Sequence, residues 1–157
     1  MRKYPGVILM LLLSVVLVLH LSACQKKAPT PVPVPTEISI FNTGNIDAVI
    51  NQPTNPAVFT ISETYKITYI SDYHFLSKGS PPGTITLTHA DGTVYGPWQA
   101  TGIPGQDEVP NAFWVVKPNI VIKPGTYTIE DSNPATWSQN NQSGNRGFTD
   151  VRGYKSL

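Results

Sequence analysis

A single cysteine, Cys24, leaves the chain with no internal disulfide and no cysteine pair for zinc. Histidine is almost as scarce. Of three, only His74 and His89 lie beyond the N-terminal apolar run, on separate segments and without His-x-x-x-His spacing, so neither metal nor cofactor is expected. Charged residues make up 13% of the chain and nearly cancel at +1, which excludes the basic surface that nucleic acid needs. No Gly-x-Ser-x-Gly elbow is present, and the ten carboxylates show no pair singled out for glycoside hydrolysis. With the one thiol assigned elsewhere (below), these gaps point away from an enzyme. Helical patterning is missing too: past the leader no segment carries apolar residues at i, i+3, i+4 and i+7.

Long hydrophobic runs are also absent, with one exception. Residues 7–19 are aliphatic apart from Ser14 and follow the positive Arg2 and Lys3. A bilayer span needs about 20 apolar residues, whereas a signal-peptide core needs roughly 7–15. The run ends in Leu21-Ser22-Ala23-Cys24. This tetrapeptide resembles the bacterial lipobox. The resemblance implies that residues 1–23 are a lipoprotein signal peptide and that Cys24 becomes the lipid-bearing first residue. An exported free thiol is open to oxidation, and acylation removes that exposure. Gln25 in place of Asp resembles lipoproteins passed on to the outer membrane of two-membrane bacteria, so the address is the cell membrane or the outer membrane, facing away from the cytoplasm. The competing readings are an uncleaved membrane helix and an ordinary secretory signal cut near Ala23.

Residues 24–36 read as a lipidated, proline-rich tether. Pro29, Pro31, Pro33 and Pro35 alternate with Thr30, Val32 and Val34, a pattern that favours extended polyproline II at ~3.1 Å per residue. Beyond the leader, the eleven Lys and Arg less Arg2 and Lys3 leave nine against ten carboxylates.

Residues 37–157 carry strand and turn chemistry throughout. Strands are predicted over residues 37–41 (Ile38 and Ile40 sharing a face), 58–61, 65–75, 84–89, 113–116, 120–122 and 148–154. Residues 48–50 are expected to pair back on the first strand. In the segment 65–75, Tyr65, Ile67, Tyr69, Tyr73 and Phe75 fall on one face, with Ile70 breaking the polar face as a bulge would. Asp91-Gly92 as a two-residue turn would set His89 opposite Val94 and Thr88 opposite Tyr95, with Ile85, Leu87 and Val94 on the core side. Pro124-Gly125 would likewise set Ile122 opposite Tyr127. Residues 96–111 and 132–147 read as loops, with a single helical turn near Pro134. Eight to ten short strands imply an all-β fold, an antiparallel two-sheet β-sandwich.

The segments Gly83-Thr-Ile-Thr-Leu, Asp91-Gly-Thr-Val-Tyr-Gly-Pro-Trp-Gln-Ala-Thr-Gly, Val109-Pro-Asn-Ala-Phe-Trp, Pro124-Gly-Thr-Tyr-Thr and Thr136-Trp-Ser-Gln-Asn resemble a small extracytoplasmic domain of bacterial secreted and surface proteins. That resemblance implies export and a β fold over residues 57–154, and no activity.

The candidate ligand-binding residues are aromatics in polar surroundings: Tyr95, Trp98 and Trp137, with Gln99, Gln106, Asn111, Gln139 and Asn140 nearby. Exposed indoles stack on sugar C–H faces while amides bond hydroxyls. The competing reading makes the indoles plugs for the ends of the fold. Glu130-Asp131-Ser132-Asn133 offers oxygens to calcium but lacks the twelve-residue loop pattern. Two functions follow from the sequence: a lipid-anchored, non-catalytic binding module for glycan or protein at the cell envelope, or a structural lipoprotein of an envelope complex.

Overall fold

The computed structural model describes residues 34–156; the expectations for the signal peptide, Cys24 and the prolines up to Pro33 lie outside the described residues. Residues 34–37 run exposed and without secondary structure. The strands that follow are β1 (Ile38–Asn42), β2 (Ile50–Asn51), β3 (Ala57–Ile61), β4 (Tyr65–Tyr73), β5 (Thr84–His89) and β6 (Val94–Gln99). They continue with β7 (Thr101–Ile103), β8 (Phe113–Val116), β9 (Ile120–Ile122), β10 (Gly125–Asp131), β11 (Ser138–Gln139) and β12 (Thr149–Lys155). Among the described residues, helix is confined to three single 3-10 turns at Phe75–Ser77, Gln106–Glu108 and Pro134–Thr136, the last where a turn is predicted.

One sheet runs β1-β12-β4-β8-β7, with β9 sharing the β8 edge of β4; a second runs β3-β10-β5-β6; β2 and β11 form a separate ribbon. All of these pairings are antiparallel. Ile67, Ile70, Trp114 and Val151 from the first sheet share one core with Phe59, Ile85, Leu87, Tyr127 and Ile129 from the second. Each such side chain contributes about 1.5–3 kcal/mol on burial. Phe59 ties the sheets together, stacked between Phe41 and Tyr127 with ring centroids 5.4 Å apart on either side.

Five expectations are corrected. In β4 the alternation inverts part-way. Arg152 pairs with Tyr69 and Gly153 with Ile67, so Thr68 has no opposite number and forms a bulge. A single extra residue turns every later side chain to the other face. Ile70, Asp72 and His74 therefore point into the core, while Tyr69, Tyr73 and Phe75 face out, only half-buried.

The hairpin around Asp91-Gly92 is displaced by one residue. His89 and Thr93 close a three-residue loop, His89 accepting from Gly92 N–H at 2.8 Å and donating its N–H to Thr93 O at 2.8 Å. Gly92 takes the left-handed position at φ 90° that such a loop requires, and the Asp91 carboxylate accepts the Thr93 N–H at 2.9 Å. Thr88 then pairs with Val94 and Leu87 with Tyr95, which leaves Val94 exposed and puts Tyr95 against the core.

Pro124-Gly125 does not make a hairpin. It carries the chain from β9, paired to β4, across to β10, between β3 and β5, so Tyr127 meets Phe59 and His89 rather than Ile122. Residues 48–50 do not return to β1; Ile50 pairs with Gln139. The stretch read as a loop over 96–111 holds the end of β6 and all of β7. Pro97 is tolerated there because β6 is an edge strand.

Candidate functional site

The inversion at Thr68 builds a surface. On the outward face of the first sheet, Tyr69 lies beside Arg152, Ser71 beside Asp150, and Tyr73 beside Phe113, because these are paired positions of neighbouring strands. Asn42 continues the Asp150 row on β1, and Ile103 continues the Phe113 row on β7. The Tyr73 ring sits 4.6 Å from Phe113 and 5.8 Å from Phe75, and the Arg152 guanidinium lies 4.9 Å above the Tyr69 ring. Together they floor an open groove of ≈ 910 Å³.

Two walls rise from this floor. One is the segment of residues 44–49, whose shape is set by Asx contacts: Asn42 Oδ1 accepts from Gly44 N–H at 2.7 Å, and Asn45 Oδ1 from Asp47 N–H at 3.1 Å. A reciprocal amide pair pins it from behind, with Asn45 and Asn140 exchanging hydrogen bonds of 3.0 and 2.7 Å. Gln142 donates to Asp47. The other wall comprises Leu76, Ile103 and Gln106. Ile46, Leu76 and Ile103 stand exposed on the rims. Burial, with the Asp107 charge behind it, raises the Tyr73 hydroxyl pKa, so that ring stays uncharged at neutral pH.

The residues singled out from sequence fall elsewhere. Trp137 is 5% exposed and donates its indole N–H to Phe148 O at 2.9 Å. Gly147 lies flat against that indole, where a Cβ would come within 2.1 Å of the ring. Trp98 and Tyr95 are half-buried on β6 and lean on the core, Tyr95 at 6.0 Å from Tyr127. With Trp137 withdrawn from solvent, the three do not form one exposed surface. Gln139 and Asn140 are buried, Gln99 caps the Pro82 and Gly83 carbonyls, and Asn111 bonds Gly79 O. Only Gln106 of that set lines the groove. The oxygens of residues 130–132 are taken up within the fold, by the Thr88 hydroxyl, Asn133 N–H, His74 and Thr84 N–H. Among the described residues no three His, Cys, Asp or Glu side chains converge to hold a metal ion.

A second polar group lies between the sheets. His74 bridges the Thr136 hydroxyl, 2.9 Å from Nδ1, and the Asp131 carboxylate, 3.1 Å from Nε2. A hydroxyl, imidazole and carboxylate in line resemble a catalytic relay, but the His74 and Asp131 side chains are 0% exposed. The Thr136 hydroxyl also turns back to Asn133 O at 3.3 Å, and the imidazole is stacked on Trp114 at 3.7 Å. This arrangement braces the core, with its imidazole and carboxylate sealed from solvent. Beside it Asp72 is fully buried, and no donor reaches either of its oxygens. Burial, and then the charge of Asp131, raise its pKa well above the usual carboxylate range, so it retains its proton.

The aromatic floor was hidden from sequence reasoning by the Thr68 bulge, which turns rings expected in the core toward solvent. Ile70 was the available signal, since an apolar residue on the polar face marks the point where the phase changes. Comparison with protein-family models, with curated proteins and with solved structures finds no match to this chain.

Proposed function

We propose that the protein is a lipid-anchored extracytoplasmic binding module, an antiparallel two-sheet β-sandwich tethered through Cys24, that binds a glycan in the groove floored by Tyr69, Tyr73 and Phe113. The observation that carries this reading is the floor itself: half-exposed aromatic rings in a row on a rigid sheet, rimmed by the Asn42 and Gln106 amides. Rings stack on the C–H faces of sugars, and rim amides bond hydroxyl groups. The module performs no chemistry of its own on this reading, since its imidazole and carboxylate relay is sealed in the core. The anchor is supported by the charge, apolar core and lipobox pattern of residues 2–24.

Tyr69→Ala should weaken retention on an immobilised polysaccharide at least about tenfold, the equivalent of ~1.4 kcal/mol. Affinity electrophoresis of the full chain in detergent reads this, with thermal unfolding of both proteins to establish that the fold is kept. Unchanged retention would remove the groove from the reading. Cys24→Ser should move the product from the membrane fraction to an unprocessed or soluble form; unchanged fractionation would remove the lipid anchor. Two acyl chains hold firmly where one holds marginally.

A second reading, a structural lipoprotein of an envelope complex, is favoured by the exposed Ile46, Leu76 and Ile103 on the rims, which suit a protein surface. Ile46→Asp would then abolish co-purification of an envelope partner, and the native protein would be retained on no polysaccharide.

A further inference from the structure

If the groove binds glycan, its charges narrow the class. Its ionised lining residues are Asp47, Asp150 and Arg152, with no lysine or histidine among the lining residues. Arg152 is already committed: its Nε and Nη2 both lie 2.6 Å from Asp150 Oδ2, and its plane covers Tyr69. Glu37, bonded to the Thr68 hydroxyl, adds a further carboxylate whose field reaches Arg152. On the wall of residues 44–49, Asp47 is exposed and held by the neutral Gln142 amide and, among the described residues, by no cation.

We infer that the groove selects neutral oligosaccharides and turns away polyanionic ones, such as chains bearing uronate or phosphate. This rests on the glycan reading above. A polyanion repeats its charge along its length, so one lying across Tyr69, Tyr73 and Phe113 brings an anion within a Debye length of Asp47 with no cation free to receive it. A neutral sugar meets the rings and the Asn42 and Gln106 amides without that repulsion. Asp47 is thereby the specificity-determining residue of the wall.

The test is affinity electrophoresis of the full chain in detergent, through gels containing a neutral glucan, a neutral mannan, an N-acetylglucosamine polymer or polygalacturonate. The native protein should be retarded by a neutral polymer and pass polygalacturonate freely. Asp47→Lys should raise retardation in polygalacturonate about tenfold relative to its own retardation in the neutral gels, a gain erased at ~0.5 M salt. Asp47→Asn should show a smaller gain in the same direction, and it guards against a lysine that disturbs the wall. Native retardation in polygalacturonate as strong as in any neutral gel, or no gain in either variant, overturns the charge selection while leaving the groove in place. Retardation that Tyr69→Ala does not reduce in any gel, or no retardation anywhere, overturns the groove reading itself.

Discussion

Trp137→Ala is expected to lower stability by about 3–5 kcal/mol, the range for removing a large buried aromatic. The indole is almost wholly enclosed, Gly147 is flattened against it, and its N–H satisfies the Phe148 carbonyl. Alanine leaves a void beneath the segment that brings Phe148 to the groove and removes one of the two donors to that carbonyl, which keeps the Tyr73 N–H at 3.0 Å. Against a total of roughly 5–15 kcal/mol for an ordinary domain, this is a large fraction. Urea unfolding of the full chain reads it as a lower midpoint at unchanged slope. Near-native stability would contradict the burial. Trp137→Phe should recover most of the loss and retain the cost of the missing hydrogen bond, about 1 kcal/mol.

Asp131→Ala should also destabilise, by about 1–3 kcal/mol, because it leaves His74 Nε2 without its hydrogen-bond partner deep between the sheets. Asp72→Asn should do the opposite at neutral and higher pH. The Asp72 carboxyl keeps its proton in the fold, where burial and the Asp131 charge oppose ionisation, while the unfolded chain releases that proton near ~3.9. Below that value both states are protonated and the contribution of Asp72 is fully present. As pH rises the unfolded state alone is favoured by ionising, so stability is lost until the folded carboxyl itself ionises. Asp72→Asn removes this slope. Urea midpoints at about pH 5 and about pH 8 should fall with pH in the native protein and fall less in the variant. Equal slopes would show that Asp72 ionises in the fold as it does in water.

The secondary structure was largely legible in the residues, and its phase was not. β1, β3, β4, β5, β8, β9 and β12 fall where strand-type runs stand between Gly, Pro and Asn, whereas β7 and β11 lie inside stretches that read as loops. What failed turned on single residues. One extra residue at Thr68 decides whether Tyr69, Tyr73 and Phe75 are core or surface, and the third loop residue before Thr93 decides the same for Val94 and Tyr95. Local patterning gives no count of residues opposite one another, since pairing is set by the partner strand. Partners were hidden for the same reason: Ile122 has equal local cause to meet Tyr127 or Tyr65, and the packing of two sheets chooses Tyr65. Trp137 shows the limit for sites. Polar neighbours such as Gln139 and Asn140 suggest solvent, yet both are themselves buried, Asn140 bonded to Asn45 and Ala48.

The place of β12 bears on how the molecule comes together. It lies between β1 and β4, so a strand that comes long after both of them in the chain completes the interior of its sheet rather than an edge. Until Thr149–Lys155 arrives, the facing backbones of β1 and β4 have no mutual partner, and any foreign extended segment meets two open flanks instead of one. A chain lacking Thr149–Lys155 is therefore split between β1 and the rest of that sheet, and its hazard is strand capture by a stranger.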